Sequence, residues 1–447
     1  MRGLRSTIAL VVVLAALSAY IYFVTWKKTE TPPGSTLDKA FAGLQADKID
    51  EISVKSESGD ATTLKKVNGT WQITSPVADN VDEGAVSGLV STLGSLEVSR
   101  VIEENPADLK EFGLASPRIE IDFKAGGDKD FRKLIVGAKS PTGTQLFAMR
   151  NDEKRVFLIP GFQESVFNRS TFDLRDKRLL KFDREKADAL DVTTGTGTLH
   201  IQKDGSEWKI IRPSEAKADY GSVEGLIGRL QTAQMKSLVT GTASPADLKK
   251  YGLDKPAVTV DVNTGSSKAT LLVGGKADDT AVYARDASKP AVFTVENALA
   301  DDLKKDAGEY RRKDVFEARA FNANRVELTR DGQAIVLEMV KGAGDTPGRW
   351  RRASPNPADL DREKTEAFLT KLFNLRATSF VDGTAKTGLE KPVLTVHARF
   401  DETKEDRVNV GKVNDDVYAA HPGEPGVAKI DAVDFSDTLK ALDEVAK

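Results

Sequence analysis

Three tryptophans set the frame of this chain. Trp71, Trp208 and Trp350 each stand five residues before a proline, in "NGTWQITSP", "GSEWKIIRP" and "PGRWRRASP". Eleven residues after each tryptophan comes an aspartate: Asp82, Asp219 and Asp361. Four residues further on begins an apolar series at i, i+3, i+4 and i+7: Val86, Leu89, Val90, Leu93; Val223, Leu226, Ile227, Leu230; Thr365, Phe368, Leu369, Leu372. That spacing is the buried stripe of an amphipathic helix. The aspartate ahead of it stands where an N-cap belongs.

The agreement continues downstream. Gly-Leu-x-x-Pro follows as "GLASP" from Gly113, "GLDKP" from Gly252 and "GLEKP" from Gly388, each leading into an alternating strand. An apolar strand then ends in a glycine ("LIVG", "LLVG", "VNVG"; Gly137, Gly274, Gly411), and a short aromatic strand follows ("LFAM", "VYAR", "VYAA"). So many positions matched three times, with tryptophans 137 and 142 residues apart, identify three tandem copies of one unit. The boundaries expected are 47–184, 185–320 and 321–447. Each copy reads as α+β, a mixed antiparallel sheet with one main helix and a shorter one, and three in series suggest an elongated body.

The shorter helix is expected in "NPADLKEFGLASP" (105–117) and "SPADLKKYGLDKP" (244–256), which agree at eight of thirteen positions. Asn or Ser would cap it, Pro would take its first turn and Gly would end it. The phrase "NPADL" returns at 356–360, directly after Trp350, where it is expected to head the main helix. On this reading these letters serve folding and need no substrate.

Bulk properties narrow the chemistry. A chain of 447 residues exceeds one hydrophobic core, and a net charge of −3 offers no basic field for nucleic acid. The absence of cysteine excludes disulfides, thiolate metal sites and a cysteine nucleophile, and three histidines (His200, His397, His421) show no ligand spacing. No cofactor or metal is expected.

At the N-terminus no charge occurs from Ser6 to Trp26, close to the ~20 apolar residues a membrane-crossing helix requires. Tyr20, Tyr22 and Trp26 gather at its end, as interfacial aromatics do. The apolar run continues past the small residues of "LSA" (17–19), which favours an uncleaved anchor over a cleaved signal peptide. The expectation is a transmembrane helix at 6–26 in membrane lipid, a linker at 27–46, a cytoplasmic N-terminus and the remaining chain outside the cytoplasm, at the bacterial inner membrane.

The residues that chemistry would need have structural explanations. Asp82, Asp219 and Asp361 read as helix caps, and the tryptophans as core between helix and sheet. Lys139, Lys276 and Lys412, beside the glycine turns, lack phosphate-loop spacing, and "GTGTLH" (195–200) lies between two strands, as a turn does. The basic runs "LRDKRLLKF" (174–182) and "YRRKDVFEA" (310–318) close the first two units and read as junction helices. No catalytic, cofactor-binding or metal-binding residue is assigned.

The order and spacing of W-x-I-x-x-P, the capping aspartate, the helical stripe, Gly-Leu-x-x-Pro, the glycine turn and the aromatic strand resemble the domain-of-unknown-function 4340 family, a set of bacterial envelope proteins. The resemblance covers nearly the whole chain after about residue 47. It brings no activity or catalytic residues. Genes of the family often neighbour those of gliding-motility-type ABC transporters, which implies an accessory role with an envelope protein partner such as transporter subunits.

The leading expectation is a non-enzymatic binding or scaffold component. Two other readings stay open: a polysaccharide-binding protein using Phe147, Tyr283 and Tyr418, and a carboxylate-dependent hydrolase using Asp82, Asp219 and Asp361.

Overall fold

A computed structural model describes residues 38–151, 153–342, 348–381 and 385–446. The expected anchor at 6–26 lies outside these residues. Among the described residues no helix is long and apolar enough to cross a membrane. The chain divides into two compact units at Lys177/Arg178. The first contains one sheet and the second contains two.

The α+β expectation, with a few strands per copy, is corrected: the protein is predominantly β, built on three nine-stranded antiparallel sheets. In the first, the strands are β1 (Ile49–Lys55), β2 (Ala61–Val67), β3 (Thr70–Ser75), β4 (Asp79–Asn80), β5 (Arg100–Glu103), β6 (Ile119–Ala125), β7 (Arg132–Lys139), β8 (Gln145–Arg150) and β9 (Val156–Pro160). Their order is 4-3-2-1-6-7-8-9-5, and the sheets beginning at Ala189 and Ala323 repeat it strand for strand. The difference from the sequence reading lies in strands ahead of each tryptophan and in two-to-four-residue edge strands too short to show a period.

The main helices, α1 (Glu83–Ser95), α2 (Tyr220–Thr232) and α3 (Arg362–Phe373), connect one edge strand of each sheet to the opposite edge. Every member of the three apolar series is buried. Each fully buried aliphatic side chain of this kind stabilises by roughly 1.5–3 kcal/mol. Trp71, Trp208 and Trp350 pack in the same cores. The prolines that follow them, Pro76, Pro213 and Pro355, are all cis.

Of the two matching phrases, the one in the second copy forms the shorter helix, at Pro245–Lys250. There Ser244 and Asp247 satisfy each other's amides as a capping box. In the first copy Asp108 accepts instead from the Lys110 amide at 2.8 Å, a local turn, and no helix follows. At 356–360 the phrase does not head a helix either. Ala358–Asp359 pairs as an edge strand, and α3 starts after Asp361.

Two further expectations fail. Residues 38–46, read as the end of a linker, place Ala40, Phe41 and Leu44 in the first core, with Phe41 edge-on to Phe123. The junction runs are not helices beyond Leu174 and Tyr310 but extended straps. Each main helix has such a strap at its C-terminal end: Ala40 N donates to Leu96 O, Leu179 N to Ala233 O and Val315 N to Leu375 O. At the N-terminal end, Asp82 N donates to Leu174 O and Asp219 N to Tyr310 O. In the third copy a closing helix, α4 (Ala432–Ala446), follows the sheet instead, burying Phe435, Thr438, Leu442 and Val445.

Candidate functional site

The three repeated aspartates are engaged as helix caps. Each caps its own helix: Ala85 N donates to Asp82 at 2.9 Å, Ser222 N to Asp219 at 2.7 Å and Lys364 N to Asp361 at 2.9 Å. Burial opposes the charged form of Asp219, but hydrogen bonds from Ser222 prevail and hold its carboxyl below the usual range. The aromatics after the glycine turns are engaged internally. Phe147 packs on Phe112 with ring centres 5.1 Å apart, Tyr283 on Tyr251 at 4.5 Å, and Tyr418 is buried.

The histidines also stand apart, each with its own carboxylate: His200 Nδ1 is 2.7 Å from Asp191, His397 Nε2 3.1 Å from Glu405 and His421 Nε2 3.0 Å from Asp406. Among the described residues no group of three or more His, Asp or Glu is placed to hold a metal ion. Lys139 pairs with half-buried Glu164 at 2.7 Å, and Lys276 with exposed Asp279 at 3.1 Å.

What the second unit does contain is a cleft of about 540 Å³, within the size range of ligand pockets. One wall is the edge of the sheet that starts at Ala189, through Lys209–Ile211 and Glu215–Lys217. The other is the third sheet, through Phe380, Ala419–His421 and Glu424–Gly426. Between them runs the strap Arg311–Glu317. Main-chain bonds fasten it on both sides: Arg312 N donates to Lys217 O at 2.9 Å, and Ala377 N donates to Lys313 O at 2.7 Å.

Ion pairs tie up the carboxylates along the strap. Glu317 meets Lys217 and stands 3.6 Å from Arg312, while Asp314 lies 2.9 Å from Arg319 and 3.2 Å from Arg376. Asp406 is buried at the end of this wall, where it accepts from the Glu317 amide at 2.6 Å and the Ala318 amide at 3.3 Å. Burial works against its charge, yet these bonds and His421 keep its carboxyl below the ordinary range. Arg311 differs. Its guanidinium lies over the Phe380 ring, 4.3 Å from the ring centre, and donates to the Pro425 carbonyl at 2.9 Å. Gly426, at φ +92°, leaves the space it occupies; a side chain there would collide with the guanidinium.

Sequence reading missed Ala216, Arg311, Phe380 and Gly426. The signal was the alignment of "LRDKR" with "YRRKD", which places Arg311 opposite Arg175 and sends attention to their differing partners.

Fold and site together define a tandem protein of antiparallel nine-stranded sheets, each crossed on one face by a capped helix, with a cleft at a joint between two copies. The family described as domain of unknown function (DUF4340) matches residues 71–210 and 208–392. The chain belongs to that family. Both matches start at a repeated tryptophan, so the family's unit is offset from the sheet, whose first strand lies upstream. No curated protein matches the chain.

Proposed function

We propose that this protein is a non-enzymatic binding component of the bacterial envelope, working on the extracytoplasmic side, and that its cleft receives a partner. The observation that carries this reading is the cleft itself. It lies where two copies of the fold meet, its walls are fixed by main-chain hydrogen bonds, and its half-buried Arg311 faces a ring and a carbonyl. Such a joint offers a shaped, largely pre-formed surface, which favours recognition. The aspartates that a carboxylate-dependent hydrolase would have used are consumed as helix caps. The uncharged run from Ser6 to Trp26 supports the envelope location. Subunits of an ABC transporter are the partners suggested by the family's resemblance in gene context.

A photo-crosslinking residue placed at Phe380 of the full-length protein in cells tests this. A specific crosslink to one envelope protein, absent when the same residue replaces exposed Phe321, is the expected result. Equal, diffuse labelling from both positions would refute it.

A further inference from the structure

The straps at 174–182 and 310–318 carry an equivalent arginine with different partners, and the difference bears on the cleft. In the first unit Val81 and Arg175 form a β-bridge; in the second unit Ala218 and Arg311 form the matching bridge. Arg175 and Arg311 are therefore the same residue of the repeat. Arg175 is buried, and its guanidinium pairs with Asp79 at 3.1 Å. Asp79 stands eight residues after Trp71; eight residues after Trp208 stands Ala216.

The second unit thus keeps the arginine and replaces its carboxylate with a methyl group that lines the cleft. Among the described residues no carboxylate lies within ion-pair distance of Arg311. Burial makes its charged form less favourable than usual, with no anion compensating. A half-buried guanidinium that has lost its fixed anion, beside an open cleft, is suited to an anion brought by a ligand.

The surroundings select which anion. Glu317 and Glu424 stand near Lys217 on the same cleft, so a doubly charged group would meet repulsion from both. A singly charged carboxylate fits the one vacant countercharge. Phe380 and Ala419 beside it give an adjoining planar or apolar group a surface to cover.

We propose that Arg311 is the anchor of a ligand site in the second unit that takes a monoanionic carboxylate joined to a planar or apolar group. The position that Asp79 fills internally in the first unit is filled by ligand in the second. This deepens the binding role proposed above and rests on it. The carboxylate belongs either to a small free acid or to the C-terminus of a peptide.

Isothermal titration of the detergent-solubilised full chain tests this with benzoate, its neutral counterpart benzamide, phenyl phosphate, and a Gly-Gly-Phe tripeptide with free or amidated terminus. Benzoate is expected to bind at least tenfold more tightly than benzamide and than phenyl phosphate. Ala216→Asp, which rebuilds the pair of the first unit, is expected to weaken benzoate at least tenfold while leaving the thermal unfolding temperature unchanged or higher. Arg311→Gln is expected to weaken it equally. A free-terminus tripeptide that outbinds both its amide and benzoate assigns the site to a chain terminus. Benzoate binding with no gain from the tripeptide assigns it to a free acid. Failure of benzoate to bind, equal binding of benzoate and benzamide, or undiminished binding by a folded Ala216→Asp protein overturns the proposal. The Phe380 crosslink would survive that outcome if the cleft binds its partner by other chemistry.

Discussion

The amide of Gly275 donates to the carbonyl oxygen of Tyr251 at 2.8 Å, so the glycine turn of the second copy rests on its Gly-Leu-x-x-Pro loop. A Cβ on Gly274 would collide with that same carbonyl, and Gly252 adopts φ +68° with the Gly275 backbone against it. Two motifs that look independent in the sequence are two sides of one contact. The first copy repeats it, with Ala138 N donating to Phe112 O at 2.9 Å.

Gly274→Ala should therefore destabilise far more than an ordinary surface substitution. The added methyl must push apart main-chain atoms, which costs about 2–4 kcal/mol when the backbone cannot yield. Gly265→Ser, in an open turn with no neighbour near its Cβ position, meets only the backbone penalty of its positive φ, about 1 kcal/mol. Chemical denaturation of the two variants beside the parent compares these costs, and equal losses would show that the close approach is unimportant.

Asp219→Ala removes a cap and should cost about 1 kcal/mol. Its pH dependence has a definite sign. The folded-state pKa of Asp219 is depressed, so its contribution is complete above the unfolded value near ~3.9 and disappears as pH falls through the folded pKa. The parent should lose stability on that acid limb, whereas Asp219→Ala should lose less of it. Unfolding free energies between neutral pH and the acid limb check this.

The parts of the fold that the sequence announces are those where several letters obey one period. The stripes from Val86, Val223 and Thr365 are such a case, as are the capping aspartates ahead of them. The straps were illegible because a short extended segment has no period of its own. Its basic residues look helical until their partners, such as Lys217 and Ala218, are known. Residues 38–46 resembled a linker because a few scattered side chains, Ala40, Phe41 and Leu44 with Ala46 at the margin, carry the packing. The cleft was hidden for a different reason. The three copies agree in their repeated letters, while what sets Arg311 apart in the cleft is a disagreement, Ala216 against Asp79.

Asp406→Ala should be among the costlier single substitutions in the third copy. It removes the acceptor for two main-chain amides on the strap, Glu317 and Ala318, and the partner of His421. Leaving such groups unpaired costs about 1–3 kcal/mol each when they are buried. Because the folded pKa of Asp406 is depressed, the parent's benefit is complete above the unfolded value of ~3.9 and is lost as pH falls from there through the folded pKa, so the difference from the variant should narrow at acid pH. Hydrogen exchange of the Glu317 and Ala318 amides gives a local readout, and unchanged protection in the variant would contradict the assignment.

The paired and unpaired arginines should respond in opposite directions when their acid position is edited. Asp79→Ala strands the Arg175 guanidinium, whose side chain is only 5% exposed. Breaking a fully buried pair costs about 3–5 kcal/mol, and the partial exposure of Asp79 reduces this to about 2–3 kcal/mol. Ala216→Asp supplies the anion that Arg311 lacks, at a position already open to the cleft, so it should be neutral or stabilising by up to about 1 kcal/mol. Opposite signs in parallel unfolding curves are expected because one edit leaves a charge unpaired and the other pairs one. A loss in both would mean that Arg311 is already satisfied by Phe380 and Pro425, and that the new carboxylate pays desolvation without gaining a partner.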